Sequence, residues 1–368
     1  MKIEAKLQEY LTKAMEKLVA DVLKATLKNP RETKFLLKCG ENMKVMRERR
    51  QSYAQNGKHI PGFLILSITN SCNLFCSGCY ARANGLCNDD EEADILTDAQ
   101  WSDIFRQGAE LGIGIMLLAG GEPLLRPGVI KAASNLDEVV FPIFTNGTLI
   151  DQSYLSLFDK NRNLVPIISL EGGAQRTDER RGPGVTQKLL TTAAQLRGKK
   201  ILFGVSLTVT RENFAEVTSA DFMAKLRQQG CRAVLFIEYV AISQGTASQE
   251  LTAEERQGLR GRQEELRRQF PAMVFISFPG DEEQMGGCLA AGRGFCHINP
   301  QGQVEACPFS PYGDRNLKQV SLLAALESPF FARLRQEHLV GGEHSGGCAL
   351  FQAEAAVKKC LKETEELK

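Results

Sequence analysis

The chain has 368 residues, 43% of them hydrophobic and 24% charged, with 45 basic and 44 acidic side chains. This composition is that of a folded globular protein and excludes a disordered or collagen-like chain. The balanced charge argues against a nucleic-acid binder, and no apolar stretch approaches the ~18 residues of a membrane span. The first residues also lack the apolar segment of a secretory signal peptide, so we expect a cytoplasmic protein.

Cysteine is the unusual component, with eleven residues. Disulfides are rare in a reducing cytosol, where clustered thiols more often bind metal or take part in chemistry. One group of three falls within eight residues, and a second group of four follows between positions 288 and 348. The members of these two groups are Cys72, Cys76, Cys79, Cys288, Cys296, Cys307 and Cys348.

Residues 1–58 are predicted to form two amphipathic helices. Leu7 and Leu11 begin an apolar series at helical spacing, and Pro30 marks the boundary between the two helices. This arm carries 14 basic and seven acidic residues. Two interpretations stay open: a pair of solvated helices packed on the main body, or a contact with an anionic partner such as a membrane surface or a phosphorylated substrate.

Residues 59–245 alternate strand patterns with helix patterns. Six apolar runs predict strands, over 63–68, 113–119, 139–145, 165–170, 201–208 and 233–240. Runs that are continuously apolar imply a parallel sheet buried on both faces. The right-handed crossover rule then favours a closed or partly open barrel, or a doubly wound sheet.

Residues 246–368 differ from the preceding segment. A charged helix is predicted over 252–270, a strand over 273–278, and further helices near 321–337 and 349–366. A glycine- and cysteine-rich stretch separates them. We expect a small Cys-rich α+β extension.

The cysteine triplet has the spacing C-x3-C-x2-C and follows directly after the first predicted strand. Three thiolates on one loop suit three corners of an iron–sulfur cubane and leave its fourth iron open. A structural zinc site needs four closed ligands, usually from paired motifs, and no second pair or histidine lies nearby. Zinc and inert buried thiols are the alternatives to the cluster.

This loop resembles the signature of the radical S-adenosylmethionine (radical SAM) enzymes, and the likeness covers roughly residues 63–240. Further motifs of the family end successive predicted strands, where β/α barrels build their sites. The resemblance implies contacts to S-adenosylmethionine (SAM) from residues at these ends: Gly120, Gly121, Glu122 and Pro123, Thr145 and Asn146, Ser169 and Glu171, Arg181, Ser206 and Thr208, and Tyr239. One departure is Gly78, since the family often has an aromatic residue there beside the adenine. Phe75 and Tyr80 are the candidates to replace it.

The resemblance implies a partial (β/α)6 barrel with an N-terminal helical arm and a C-terminal extension. It also implies a [4Fe–4S] cluster held by the cysteine triplet. Reductive cleavage of SAM at that cluster gives a 5′-deoxyadenosyl radical, which abstracts hydrogen from a substrate that the sequence does not identify.

The second cysteine group resembles the auxiliary-cluster regions called twitch and SPASM domains. Gln301 and Gly302 predict a hairpin turn that pairs the segments carrying Cys296 and Cys307. The tight cysteine motif of a complete SPASM domain is missing, so the resemblance implies one auxiliary cluster. Its candidate ligands are Cys288, Cys296, Cys307 and Cys348, with His297 or His344 as a non-cysteine possibility and a zinc knot as the alternative.

Several functions remain open within this family. The substrate is a peptide or a small molecule, with a tetrapyrrole or a lipid as alternatives, and the reductant is expected to resemble flavodoxin or ferredoxin. A function of another class is a non-catalytic Fe–S protein for electron transfer or sensing. No catalytic acid or base can be named from the sequence.

Overall fold

The structure, a computed structural model, describes residues 30–85, 87–88, 94–242, 245–341 and 348–366, without the side chains of residues 283 and 284. The first helix predicted for the basic arm lies outside these residues, as does His344. The second is present as the helix Pro30–Gln55. Within the described residues no helix is both long enough and apolar enough to cross a membrane.

Ten strands form one sheet. They are β1 (Phe63–Ser67), β2 (Ile115–Ala119), β3 (Phe141–Thr145), β4 (Leu164–Leu170), β5 (Gly204–Val209), β6 (Ala233–Glu238), β7 (Val274–Phe278), β8 (His297–Ile298), β9 (Gln303–Glu305) and β10 (Arg315–Asn316). Their order is β10-β9-β8-β1-β2-β3-β4-β5-β6-β7. Neighbours from β8 through β1 to β7 run parallel, whereas β8, β9 and β10 pair antiparallel.

Helices connect these strands and cover the sheet. In the barrel region they are Tyr80–Ala83, Asp98–Glu110, Pro127–Ser134, Gln152–Lys160, Ala174–Arg181, Val185–Gly198, Phe214–Val217 and Ala220–Gln229. Beyond β6 they are Ala253–Gln269, Leu322–Leu326, Pro329–Gln336, Ala349–Gln352 and Glu354–Glu365. Three short 3-10 turns lie at Pro123–Leu125, Ala247–Gln249 and Gly280–Met285.

The core lies between the sheet and these helices. The helix Asp98–Glu110 shows the cause: Trp101 and Phe105 are spaced to lie on one face, and both are fully buried. The Phe105 ring meets that of Phe141 on β3 edge-on, with centroids 5.1 Å apart. A capping box formed by Thr97 and Gln100 begins this helix.

The sheet is an open barrel, which confirms the expected partial barrel. The predicted boundary at residue 245 does not coincide with an edge of the sheet. β7 lies beyond that boundary and continues the parallel order next to β6, and β8 adds to the opposite side next to β1. The C-terminal extension is therefore joined to the barrel at both open edges.

Candidate functional site

The cysteine triplet lies on the loop that follows β1, at the carboxyl end of the sheet. Cys72, Cys76 and Cys79 are each partly exposed and line one cavity of about 1910 Å³. The thiol of Cys72 interacts electrostatically with those of Cys76 and Cys79, so the three sulfur atoms face a common space. The chain therefore brings together the three residues that the sequence predicts.

The glycine pair after β2 packs directly against this loop. The amide of Gly121 donates to the carbonyl oxygen of Thr69 (3.0 Å), and that of Glu122 donates to the carbonyl oxygen of Ser71 (2.8 Å). A Cβ atom on Gly121 would lie 2.0 Å from the oxygen of Ser71, and one on Gly120 would lie 2.5 Å from that of Thr69. Only glycine permits this approach, which fixes the loop against the end of β2.

The Glu122 side chain joins the ends of β2 and β3. One carboxylate oxygen accepts from Thr145 Oγ1 (2.7 Å) and from the Leu124 amide (3.1 Å), and the other accepts from the Asn146 amide (2.7 Å). Burial raises the pKa of Glu122, and these hydrogen bonds act in the opposite direction. The carboxylate of Glu122 thus connects the end of β2 to the end of β3.

Asn146 also reaches the cysteine loop. Its Nδ2 atom donates to Asn73 Oδ1 (2.8 Å), and Asn73 in turn donates to Thr148 Oγ1 (2.9 Å). The end of β3 therefore holds the loop from a second side. Sequence reasoning names Asn146 as a possible SAM contact but does not identify this bond to Asn73.

The helix Ala174–Arg181 places two arginines beside the cysteine loop. The guanidinium groups of Arg180 and Arg181 both bind the buried carboxylate of Glu171. Arg181 Nη1 lies 3.9 Å from Cys76 Sγ, and Arg180 Nε donates to the Ser77 carbonyl oxygen (3.0 Å). Burial lowers the pKa of Arg181, but the charges of Glu171 and Cys76 outweigh it, so the net shift of this pKa is upward. A fixed positive charge therefore stands beside the cysteine triplet.

Most of the predicted SAM contacts border the cavity. The residues that line it are Gly120, Gly121, Glu122, Asn146, Ser169, Arg181, Ser206, Thr208 and Tyr239. Pro123, Thr145 and Glu171 are buried behind its wall. The carboxylate of Glu171 is occupied by the two arginines, so the geometry makes it an anchor for them and not a group turned to the cavity.

The position of Gly78 is filled by an aromatic ring from another strand. Gly78 has a φ of +66°, and a Cβ there would lie 3.2 Å from the hydroxyl oxygen of Tyr239, just after β6. Of the two replacements suggested by the sequence, Phe75 is 76% exposed and pairs with Arg82. The ring of Tyr80 packs edge-on against that of Phe309, with centroids 5.3 Å apart. The aromatic contact to Gly78 thus comes from Tyr239.

The donor set fits an iron–sulfur cluster. Burial raises the pKa of Cys72 to about 11 and also raises that of Cys76, where Arg181 acts in the opposite direction. Iron binding would supply the charge that stabilises these thiolates. Among the described residues, no group of three or more histidine, cysteine or acidic side chains is placed to hold a single metal ion.

Three cysteines of the second group also converge. Cys288, Cys307 and Cys348 are buried and interact electrostatically with one another. Burial raises the pKa of Cys307, whereas the interaction with Cys307 lowers that of Cys348.

Cys296 is the exception within the second group. The predicted hairpin is present, with His297 opposite Glu305 in the antiparallel pairing of β8 and β9. Cys296 and Cys307 lie just outside the paired residues of the two strands. Burial alone raises the pKa of Cys296 to about 12, with no contribution from another cysteine. Of the four predicted ligands, the structure therefore groups Cys307 with Cys288 and Cys348 and leaves Cys296 apart, which corrects the expectation that the hairpin unites Cys296 with Cys307.

The side chain of His297 also already has hydrogen-bond partners. Its Nδ1 atom lies 2.7 Å from Glu305 Oε2, and its Nε2 atom lies 2.8 Å from Ser67 Oγ at the end of β1. Asn299 donates a further hydrogen bond to Glu305 (2.6 Å). This buried network connects the barrel to the hairpin, so both ring nitrogens of His297 already have partners.

Comparisons with known proteins agree with this geometry. A family model described as the radical SAM superfamily matches residues 66–223. The AdoMet-dependent heme synthase of Methanosarcina barkeri is 24% identical over 328 residues, which cover 82% of this chain and 91% of that protein. The PqqA peptide cyclase of Gluconobacter oxydans is 24% identical over 256 residues, covering 67% of this chain and 70% of the cyclase.

Solved structures share the fold. SuiB of Streptococcus suis bound to S-adenosylmethionine has a TM-score of 0.63 at 16% identity, covering 78% of this chain and 71% of SuiB. The structure of anSMEcpe with bound AdoMet has a TM-score of 0.58 at 15% identity, covering 82% of this chain and 96% of that one. The family model and the cysteine triplet at the carboxyl end of the parallel sheet identify residues 66–223 as a radical SAM domain, and the chain is a radical SAM enzyme that works with a [4Fe–4S] cluster and S-adenosylmethionine.

Proposed function

We propose that Cys72, Cys76 and Cys79 hold the [4Fe–4S] cluster and that SAM binds beside it, across the ends of the central strands. The observation that carries this proposal is the convergence of three thiols in one cavity beside the guanidinium of Arg181. When bound, the cluster and SAM supply a 5′-deoxyadenosyl radical that abstracts a hydrogen atom from the substrate.

The protein residues in this proposal bind, orient and exclude water. Gly120 and Gly121 let the cofactor approach the backbone, because no side chain stands in front of them. The hydroxyl of Ser206 donates to that of Ser169 (3.2 Å), which leaves the hydroxyl proton of Ser169 for a ligand. Arg181 contributes a positive charge, and Glu171 fixes its position from behind the cavity wall.

A second site is proposed where Cys288, Cys307 and Cys348 converge. Their burial and mutual interactions support one auxiliary cluster in the C-terminal extension. This set has three cysteines instead of the four predicted from the sequence, because no other cysteine interacts electrostatically with Cys296.

The cavity supports a substrate with a large apolar surface. Beyond the cysteine loop it continues through the barrel between apolar side chains such as Ile65, Leu117 and Phe144. We propose oxidation or maturation of a peptide or small molecule there. Electrons would come from a low-potential flavodoxin-like or ferredoxin-like protein. All eleven cysteines are free thiols, which supports a reducing compartment such as the cytoplasm.

A tetrapyrrole is the second candidate substrate. The similarity to the heme synthase of Methanosarcina barkeri extends over 91% of that protein. The helix Pro30–Gln55 also lines the far end of the cavity with Lys44, Arg47 and Arg50. These cationic side chains suit a flat apolar ring with carboxylate substituents.

Anaerobic reconstitution with iron and sulfide tests the proposed function. Dithionite and SAM are then added, and 5′-deoxyadenosine is measured. We expect Cys76→Ala to abolish this product and Cys231→Ala, which removes a buried thiol distant from both sites, to retain it. A non-catalytic Fe–S protein would show a cluster spectrum without 5′-deoxyadenosine, and this result would reject the proposal. About eight iron ions per chain would support two clusters, and about four would support one.

A further inference from the structure

The site in the extension offers three cysteine ligands, whereas a [4Fe–4S] cubane has four irons that each need a ligand. Cys288 precedes β8, Cys307 follows β9, and Cys348 stands at the start of the helix Ala349–Gln352. Backbone amides of Leu350 and Phe351 donate toward the sulfur of Cys348, which stabilises a thiolate there. Three thiolates bind three irons of a [4Fe–4S] cluster, and the fourth iron needs another ligand.

The side chain of Glu282 occupies the neighbouring position. Its carboxyl group interacts electrostatically with Cys288 and with Cys348. The amide of Leu289 donates to Oε1 (3.2 Å). The residue is buried, with 3% exposure, and it also borders the large cavity.

The backbone holds Glu282 in this position. Its amide donates to the carbonyl oxygen of Pro279 (2.8 Å), and its own carbonyl oxygen accepts from Gly287 (2.9 Å). The turn Gly280–Met285 therefore keeps the side chain next to Cys288. A ligand must be oriented in this way before the metal arrives, because reorientation inside a packed core is costly.

The nearby cation is Arg293. It donates to the carbonyl oxygens of Gly287 (2.9 Å), Cys288 (2.7 Å) and Met285 (3.2 Å), and its charge also acts on the carboxyl group of Glu282. A buried carboxylate is stabilised by a cation or a metal. An iron ion beside Cys288 and Cys348 would add to the compensation that Arg293 gives.

The other candidate ligands described by the structure are less suitable. The backbone of Cys296 is bound to β1, where its carbonyl oxygen accepts from the Ile65 amide (3.0 Å), and no other cysteine interacts electrostatically with its thiol. His297 has both ring nitrogens bound to Ser67 and Glu305. For His297 to reach the three thiols, this buried network would have to break.

We propose that the auxiliary cluster is held by Cys288, Cys307 and Cys348, with the carboxylate of Glu282 as its fourth ligand on the side that faces the cavity. This inference rests on the proposed auxiliary cluster. A carboxylate oxygen is a harder donor than a thiolate and binds iron in such clusters less tightly. The iron bound by Glu282 is therefore the one that a substrate donor can reach and take over.

The test uses the full-length chain with Cys72, Cys76 and Cys79 all replaced by alanine, so that only the auxiliary site can bind iron. In this background Glu282→Ala, Glu282→Cys and the control Asp281→Asn are reconstituted anaerobically. Asp281 is the adjacent, partly buried acid, but its carboxylate accepts from the Ser277 amide (2.9 Å) on β7. Iron content and electron paramagnetic resonance (EPR) spectra are measured, with circular dichroism as the check on folding.

We expect about four iron ions per chain in the parent and in Asp281→Asn. Glu282→Ala should bind about three and show a [3Fe–4S] signal after mild oxidation. Glu282→Cys should restore the fourth iron with a shifted EPR spectrum, which also shows that the position tolerates substitution. The proposal is overturned if Glu282→Ala and Glu282→Cys both retain the parent's spectrum and iron content. It is also overturned if Cys87→Ala or Cys296→Ala causes the loss of iron instead. A parent without iron would reject the auxiliary cluster itself, while the 5′-deoxyadenosine assay on the unmodified chain would still test the barrel site.

Discussion

Replacing Gly121 with alanine tests whether the close packing of β2 against the cysteine loop positions the cofactor. The added methyl carbon would lie 2.0 Å from the carbonyl oxygen of Ser71 and 2.5 Å from its carbonyl carbon. Real Cβ atoms essentially never approach another atom within 3.0 Å. The two backbone segments must therefore move apart by about 1 Å, and such a displacement near a reacting centre costs on the order of 100-fold in rate.

The assay is the rate of 5′-deoxyadenosine formation by the reconstituted protein with dithionite and SAM. We expect Gly121→Ala to lower this rate by about 100-fold while iron binding to the auxiliary site persists. Gly261→Ala is the matched control, because a Cβ at Gly261 meets no atom within 4 Å. It lies in the helix Ala253–Gln269, where alanine should add about 0.5–1 kcal/mol of stability. Equal rates for the two variants would refute the argument that this contact sets the geometry of the site.

Three further predictions concern charge and burial. Arg181→Met removes the positive charge near Cys76. It should lower the reduction potential of the barrel cluster by roughly 50 mV, which is close to a tenfold change in the equilibrium constant for one electron. An EPR-monitored redox titration that finds no decrease would contradict this. His297→Gln should cost about 1–3 kcal/mol in urea unfolding, because Glu305 loses a buried partner, and an unchanged midpoint would exclude it. Burial raises the pKa of Glu238, so the folded state retains its proton to higher pH than the unfolded state and stability falls as pH rises above the ordinary value of 4.5. Glu238→Gln should flatten this dependence in unfolding curves measured from about pH 5 to about pH 8, whereas an unaltered slope would assign it to other groups.

The features that could be predicted are those encoded locally. The spacing of Cys72, Cys76 and Cys79 lies within eight residues, and the apolar runs of the barrel strands are continuous enough to indicate a parallel sheet. Because parallel strands end at one edge of the sheet, the sequence alone was enough to assign the motifs at those ends to one site. The helix Ala174–Arg181 was harder to identify, since its sequence AQRTDERR has no apolar periodicity.

The features that could not be predicted depend on tertiary pairing. Cys296 and Cys307 are related by a hairpin that the turn residues indicate, but only the structure shows that Cys307 interacts with Cys288 and Cys348 while Cys296 does not. Tyr239 and Gly78 are separated by 161 residues and meet only because β6 ends beside the cysteine loop. Glu282 lies in an acidic stretch that resembles a solvated turn, and no local pattern indicates that it is buried beside Cys288.

The position of β8 beside β1 has a consequence for how electrons move within the enzyme. The amide of Ile65 on β1 donates to the carbonyl oxygen of Cys296 (3.0 Å), next to the hairpin that leads to Cys307. The cysteine loop after β1 and the hairpin that leads to Cys307 are therefore attached to neighbouring strands of one sheet. Tyr80 interacts electrostatically with both Cys79 and Cys307. The sheet would thus hold the two proposed metal centres at a fixed separation, which favours electron transfer between them.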